Sequence, residues 1–446
     1  MANLSLSQSS SSQGTGIDVS SVVDQIIFAE QAPERIWQQQ QIALAVQASS
    51  LNSLSSGVNA LKDKVFALSD LSGVFAAQTV TSSQPSLVTA SAQSGAATGV
   101  HTLVVSNLAT VSSYYTDPVA SSSTTLAHGT FTLSGGQGSN TITIDGSNDT
   151  LDTLSAYINS QDYGVQASVL NDAGGARLAL VSTTSGIPGD LIITANTTGL
   201  VFQKSANGVN ASFTLDGVPL SSTTNTVSSP LPGVTLNLLA ASPATPITIS
   251  VAPDTARITQ ALNDFVSAYN SVIGSITSQF KAGANSSAGP LASNSALRSL
   301  QSSLLSDVTY SVAGNNGLVN LASLGIDLQN DGTLKVDSTK LNSALNSQFA
   351  DLQTFFQSGN TGGFGNHFSS DLTTLTSPAS GLLSLNLNEN NANQQALTRQ
   401  INDFEDRLAN RRQFLINQYS RVDAMLRQYP LILAQITSQL SVISNR

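Results

Sequence analysis

Apolar positions follow a helical period at both ends of the chain and a strand period in its middle. Leu51, Leu54, Val58, Leu61, Val65 and Leu68 alternate spacings of three and four, which is a heptad seam. The pattern predicts a helix that starts near Pro33, a residue tolerated in a first helical turn, and ends before Gly73. Toward the other end, Ile401, Leu408, Leu415, Val422, Tyr429, Ile436 and Ile443 recur every seven residues. Phe404, Met425 and Ile432 take the second seam position, and Arg411 and Gln418 put polar side chains in two of its slots. A seven-residue repeat sustained this long predicts left-handed supercoiling against another helix. Pro430 lacks a backbone donor and is expected to kink or break that helix.

Between about residues 77 and 253 the period changes to two. Strand-like alternation marks 102–105, 130–133, 141–144, 177–181, 191–194, 212–215 and 248–251. Turn pairs punctuate it at Asp145-Gly146, Gly174-Gly175, Pro188-Gly189, Asp216-Gly217 and Pro232-Gly233. One helix is embedded, with Asp149 or Thr150 as cap before Leu151, Leu154, Tyr157 and Ile158. From Pro253 the helical period returns through Ile258, Leu262, Phe265, Tyr269, Val272 and Ile276, with shorter helices near 295–308 and 339–356. A hairpin is expected at 326–336 around Asn330-Asp331-Gly332.

Seams at both ends cannot be buried alone. The economical fold is α+β and multidomain: N- and C-terminal helices pair in a coiled-coil or helical-bundle leg, and two β-rich head domains are inserted between them. The expected division is 38–76 with 254–417 for the leg, 77–123 with 200–253 for an inner head domain, and 124–199 for an outer one. Segments 1–37 and 418–446 are expected to be disordered when isolated, because their seams lack partners and Ser9–Ser12 is a serine run.

Composition narrows the function. Charged residues are 10% of the 446, against about 25% in an average soluble domain. Without cysteine there is no disulfide, thiolate metal site or cysteine nucleophile. A net charge of −10 argues against nucleic acid as partner. No apolar run is long enough to insert in a membrane, and the first basic residue is Arg35, so any export is expected to proceed without a cleaved signal peptide.

Catalytic and cofactor motifs are not found. No Gly-Lys pair offers a P-loop, and no His-Glu-x-x-His occurs. His101, His128 and His367 are scattered, and packing or surface roles suit them better than ligation. Counted from Asp327, a calcium loop would need a bidentate Glu where Ser338 stands, so Asp327, Asp331 and Asp337 belong to a hairpin. No catalytic residue, metal ligand or cofactor is expected, and the chain reads as a non-enzyme. Arg407, Arg411, Arg412, Arg421 and Arg427 interleave with Asp403, Glu405, Asp406 and Asp423. They form either a solvated ion-paired face or contacts to neighbouring subunits. Trp37 reads as core.

Ordered motifs then become familiar. Gly16-Ile17-Asp18-Val19 through Glu30, followed by Pro33, resembles the N-terminal segment of the flagellar filament-cap family, also called hook-associated protein 2. Phe213-Thr214-Leu215-Asp216-Gly217, Leu231-Pro232-Gly233-Val234, Phe265-Val266-Ser267-Ala268-Tyr269-Asn270, Gly289-Pro290-Leu291 with Arg298, and Leu321 to Ile326 with Asp331-Gly332 follow in family order. Residues 131–194 resemble an inserted module shared by flagellin-related proteins.

The resemblance implies a structural assembly protein at the distal tip of the bacterial flagellum, exported through the type III flagellar apparatus. It implies a ring-shaped homo-oligomer that promotes insertion and folding of flagellin, contacts with hook–filament junction proteins, and an export chaperone at the C-terminal helices. The alternative is a surface adhesin, or adhesion as a second role of the outer β domains.

Overall fold

The computed structural model describes residues 17–281, 288–358 and 362–444. Two helices open it, α1 (Val19–Glu30) and α2 (Ala32–Ser69). Strands β1 (Gln78–Ser82), β2 (Val88–Ala92), β3 (Gly99–Asn107), β4 (Val111–Thr116), β5 (Gly129–Gly135) and β6 (Gly138–Ile144) follow. Helix α3 (Leu151–Ser160) precedes β7 (Val165–Asp172), β8 (Gly175–Ser185), β9 (Ile192–Thr194), β10 (Phe202–Ala206) and β11 (Ala211–Leu215). Then come β12 (Val218–Ser222), β13 (Thr226–Leu231), β14 (Val234–Leu238) and β15 (Ser242–Pro253). Helices α4 (Thr255–Phe280) and α5 (Ser295–Val308), hairpin β16 (Ile326–Leu328) and β17 (Leu334–Val336), and helices α6 (Ser338–Ser347), α7 (Phe349–Gln357), α8 (Phe364–Thr376) and α9 (Leu382–Ser444) complete it. Helices at both termini therefore flank a β-rich middle. The chain divides into two compact units, Met1–Ser69 with Leu262–Arg446, and Asp70–Ala261.

The β unit holds two cores. The first lies between the sheet ordered β1-β15-β3-β11-β12 and the sheet β13-β14-β2. Leu103, Phe213, Leu236, Ile247 and Ile249 fill it from alternate positions of their strands. Its β11–β12 connection is the Asp216-Gly217 pair, with φ of 50° and 80°. Both residues are left-handed, as a two-residue hairpin turn matched to strand twist requires. Asp216 also accepts from Thr102 N and His101 Nδ1, both at 2.8 Å, which ties the turn to β3.

The second core contains Phe131, Ile142, Leu151, Leu154, Ile158 and Leu178. Thr150 caps α3 in a reciprocal box with Thr153. The pattern assigns 111–116 and 202–206 to the inner domain, but β4 and β10 hydrogen-bond into the sheet β10-β4-β8-β7. Their partner β8 supplies Leu178 and Leu180 to this core, so the sheet carries both strands across the expected boundaries at 124 and 199.

In the helical unit, Phe265 meets Phe364 and Phe368 edge-on at centroid distances of 6.0 and 6.1 Å, and Phe364 stacks on Phe355 at 5.2 Å. These rings join α4, α7 and α8. Asn270 of α4 donates to Leu334 O at 2.8 Å and accepts from Leu334 N at 2.7 Å, clamping the β16–β17 hairpin. The family-like Phe-Val-Ser-Ala-Tyr-Asn segment thus supplies a core face and a hairpin clamp.

Helix α9 starts at Leu382, well before Ile401, and runs through Pro430 without interruption. The expected break at Pro430 is not observed. Residues 424–440 are exposed all round, so the carbonyl that Pro430 leaves without a donor faces water. The span 339–356 is two helices, separated at Gln348.

Candidate assembly surface

Helix α9 runs antiparallel to α1 and α2. Along α2, Trp37 packs edge-on against Phe404 at 5.2 Å, Gln41 donates to Thr398 Oγ1 at 2.8 Å, and Asn390 donates to Gln47 at 3.3 Å. Along α1 the same register continues. Arg411 reaches Glu30 at 3.5 Å, Arg412 reaches Asp24 at 2.9 Å, and Asp423 accepts from Ile17 N at 2.8 Å. Between these polar contacts, Val23 and Ile27 of α1 are buried with Leu408 and Leu415, flanked by Phe404 and Tyr419. Asp18 caps α1 by accepting from Ser21 N. Helix α1 lies inside the segment expected to need a partner, and the partner it has is α9 of its own chain.

The six seam residues of α2, Leu51, Leu54, Val58, Leu61, Val65 and Leu68, are all buried. They do not face the α9 seam. In the antiparallel register α9 begins, at Leu382, opposite the middle of the α2 seam, so the later residues need other partners. They find them in α8 and α7, and Lys64 pairs with Asp264 of α4 at 2.9 Å.

The α9 seam divides in two. Ile401, Leu408 and Leu415 are buried, Leu415 at 4% exposure. Val422, Tyr429 and Ile436 are 40%, 65% and 48% exposed, and Met425, Leu426, Leu431, Ile432, Leu433 and Leu440 are exposed with them. The side chain of Ile443 and the serine run Ser9–Ser12 lie outside the described residues. Exposed apolar patches of this kind are common at protein interaction sites.

The arginines sit around this division. Arg407 lies over the Phe404 ring at 5.6 Å, and Arg427 pairs with Asp423 at 2.8 Å. That pairing, with the Ile17 amide, holds the Asp423 carboxyl below its ordinary range. Arg421 is exposed. Within the single chain, Arg411 and Arg412 fasten α1.

The histidines separate into two surface contacts and one cluster. His101 bonds Asp216, and His128 stands 3.7 Å from Asp149. His367 of α8 stacks on Tyr310 with centroids 4.0 Å apart and lies 3.5 Å from Asp307 of α5. Asp371, one turn along α8, joins them, and one ligand atom from each residue falls within 4.8 Å of the others. Burial, then the hydrogen bond and charge of Asp371, push the Asp307 carboxyl up to about 8. Asp307 Oδ2 and Tyr269 Oη are buried without a hydrogen-bond partner. The pattern places no helix at 364–376, so the four-residue spacing of His367 and Asp371 carries no signal until α8 is seen.

Comparison with known proteins gives this architecture a family. Residues 15–112 match the flagellar hook-associated protein 2 N-terminus and residues 208–430 its C-terminus. The chain belongs to the flagellar hook-associated protein 2 family. Residues 130–184, within the second β core, match the flagellin hook IN motif. The B-type flagellar hook-associated protein 2 of Pseudomonas aeruginosa is 31% identical over 70% of this chain and 73% of its own length. The Escherichia coli K12 hook-associated protein 2 is 27% identical over 97% of this chain and 98% of its own. In three dimensions, the D1-D2-D3 domains of the flagellar cap protein FliD from Escherichia coli align with a TM-score of 0.59 and 26% identity. That alignment covers 77% of this chain and 99% of the other. Members of the hook-associated protein 2 family thus share both the sequence motifs and the helix–β–helix plan of this chain.

Proposed function

We propose that this chain caps the distal end of a bacterial flagellar filament and promotes insertion and folding of flagellin subunits there. Membership of the hook-associated protein 2 family supports the role. The structural observation that carries it is the exposed apolar part of α9 beyond Leu415, a helix built to meet a partner. The proposed arrangement is a ring of identical subunits whose terminal segments order against filament subunits and hook–filament junction proteins. A chaperone covers the C-terminal helix before export, which proceeds without signal cleavage. The leg, the inner head and the outer head act as separate folding units, and the exposed apolar side chains of α9 beyond Asp423 gain packing partners on assembly. Coupled ordering keeps each contact close to balance with its entropy cost, so subunits can shift while staying attached. Arg407 and Arg421 are exposed to acidic faces of neighbouring subunits, and Arg411, Arg412 and Arg427 would have to exchange their intrachain acids for such contacts. Adhesion has no observation in its favour.

Electron microscopy of filament tips from a strain lacking the gene is the direct test. Uncapped or missing filaments with flagellin secreted as monomer are expected. Normal capped filaments would overturn the reading.

A further inference from the structure

We propose that Asp307, His367 and Asp371 form a binding site for a divalent transition-metal cation of the zinc type, joining α5 to α8 in the helical unit. His367 and Asp371 are four residues apart on α8, so they project from one face in successive turns. Asp307 stands opposite them in the last turn of α5. His367 Nε2 and Asp307 Oδ1 are 3.5 Å apart, and all three ligand atoms lie within 4.8 Å of one another. In a tetrahedral site with bonds of about 2.1 Å, neighbouring ligand atoms are roughly 3.4 Å apart, so small side-chain movements close the set.

A second observation points the same way. Asp307 is 1% exposed, yet its Oδ2 has no hydrogen-bond partner among the described residues. When both carboxyls are ionised, this buried oxygen lacks a donor and faces a second negative charge, so the pair calls for a cation or a shared proton. Tyr269 presents another buried, unpartnered hydroxyl, and its phenol is pushed up by burial and by the charge of Asp307. It is suited to donate to a ligating carboxylate or to a metal-bound water. Tyr310, stacked on His367 at 4.0 Å and 15°, fixes the imidazole plane, as support around metal ligands commonly does. The half-exposed side of His367 leaves a route for the ion. One imidazole with two carboxylates selects zinc-type cations over calcium and magnesium, which favour all-oxygen sites. Three protein ligands leave a fourth position for water.

The test uses the full-length, tag-free chain, stripped with chelator and titrated with zinc chloride by calorimetry and by thermal melting. One zinc per chain and a raised Tm are expected, with no comparable response to magnesium or calcium. His367→Gln and Asp371→Asn should each weaken zinc binding at least about tenfold. Should either variant fold poorly, cobalt(II) titration of the unaltered chain decides, with a visible band of tetrahedral intensity as the expected result. No saturable binding, an equal response to magnesium, an octahedral cobalt spectrum, or undiminished binding by well-folded His367→Gln would each overturn the proposal.

Discussion

Replacing Val23 with Asp should release α1 from α9 and leave the rest of the molecule intact. Val23 is fully buried and Ile27 nearly so. Burying such side chains contributes about 1.5–3 kcal/mol each. The two ion pairs beside them, Asp24–Arg412 and Glu30–Arg411, are exposed and worth about 0–1 kcal/mol each. Helix α1 has 12 residues, a length at which an isolated helix is marginal in water. Val23→Asp removes half of the apolar anchorage and places a carboxylate among Leu408, Leu415 and Phe404, so the remaining contacts cannot hold the helix. Hydrogen exchange read by mass spectrometry is the assay. Amides of 19–30 should exchange at near-unfolded rates, while those of Asp70–Ala261 keep their protection. Protection of 19–30 at wild-type levels would refute the reasoning, because the four-residue apolar cluster would then not be what holds α1.

Other consequences can be checked alongside. Leu415→Asp should release α1 as Val23→Asp does, since it puts a charge in the same buried cluster, whereas Val422→Asp should leave the protection of 19–30 unchanged and abolish capping; equal effects on that protection would contradict the division of the seam. Phe265→Ala should cost about 3–5 kcal/mol in urea unfolding of the helical unit, because its ring is fully buried against Phe364 and Phe368. In chelator, Asp307 keeps a proton in the folded chain up to about pH 8 that the unfolded chain releases near its ordinary value of about 4. Its favourable contribution is therefore full below about pH 4 and lost as pH rises through about 8, at up to about 1.4 kcal/mol per pH unit. Asp307→Asn should flatten that part of the stability–pH curve, and an unchanged slope in the variant would exclude Asp307 as its source.

Features that depend on local spacing are legible in the sequence. The α2 seam, the cap of α3 at Thr150, the hairpin around Asp331-Gly332 and the strands with clean alternation all state their conformation within a few residues. Features that depend on distant pairing are not. Strand β1 finds its partner in β15, with Gln78 opposite Pro253, and nothing near residue 78 announces that. Strands β4 and β10 carry mixed polar and apolar residues, and only their hydrogen bonds decide which core they join. Helix α8 escaped because its apolar residues, Phe364, Phe368 and Leu372, begin directly after a glycine-rich stretch that reads as loop. Without α8, His367 is an isolated residue in the sequence, and its relation to Asp307 and Asp371 has no sequence signature. The α9 arginines were ambiguous for another reason: a one-dimensional pattern shows which charges share a helix face but not whether an acid of the same chain or of another meets them.

The antiparallel register ties these points to assembly. Because α9 is matched residue by residue to α2 and then to α1, its burial is set by how far the N-terminal helices extend beside it. Phe404, Leu408 and Leu415 have neighbours on α2 or α1, and Asp423 meets the amide of Ile17, the first described residue. From Val422 to Ile436 the seven-residue repeat continues in sequence while its side chains are exposed. A repeat maintained without a partner among the described residues leaves apolar surface in water unless a partner covers it. Pro430 fits the same logic. A proline inside a packed helix would leave a carbonyl unpaired in an apolar setting, whereas on this exposed stretch water satisfies it until assembly. On the proposed capping role, the exposed portion of α9 beyond Asp423 is the surface that would meet other subunits, and its apolar side chains are the ones that contact would cover.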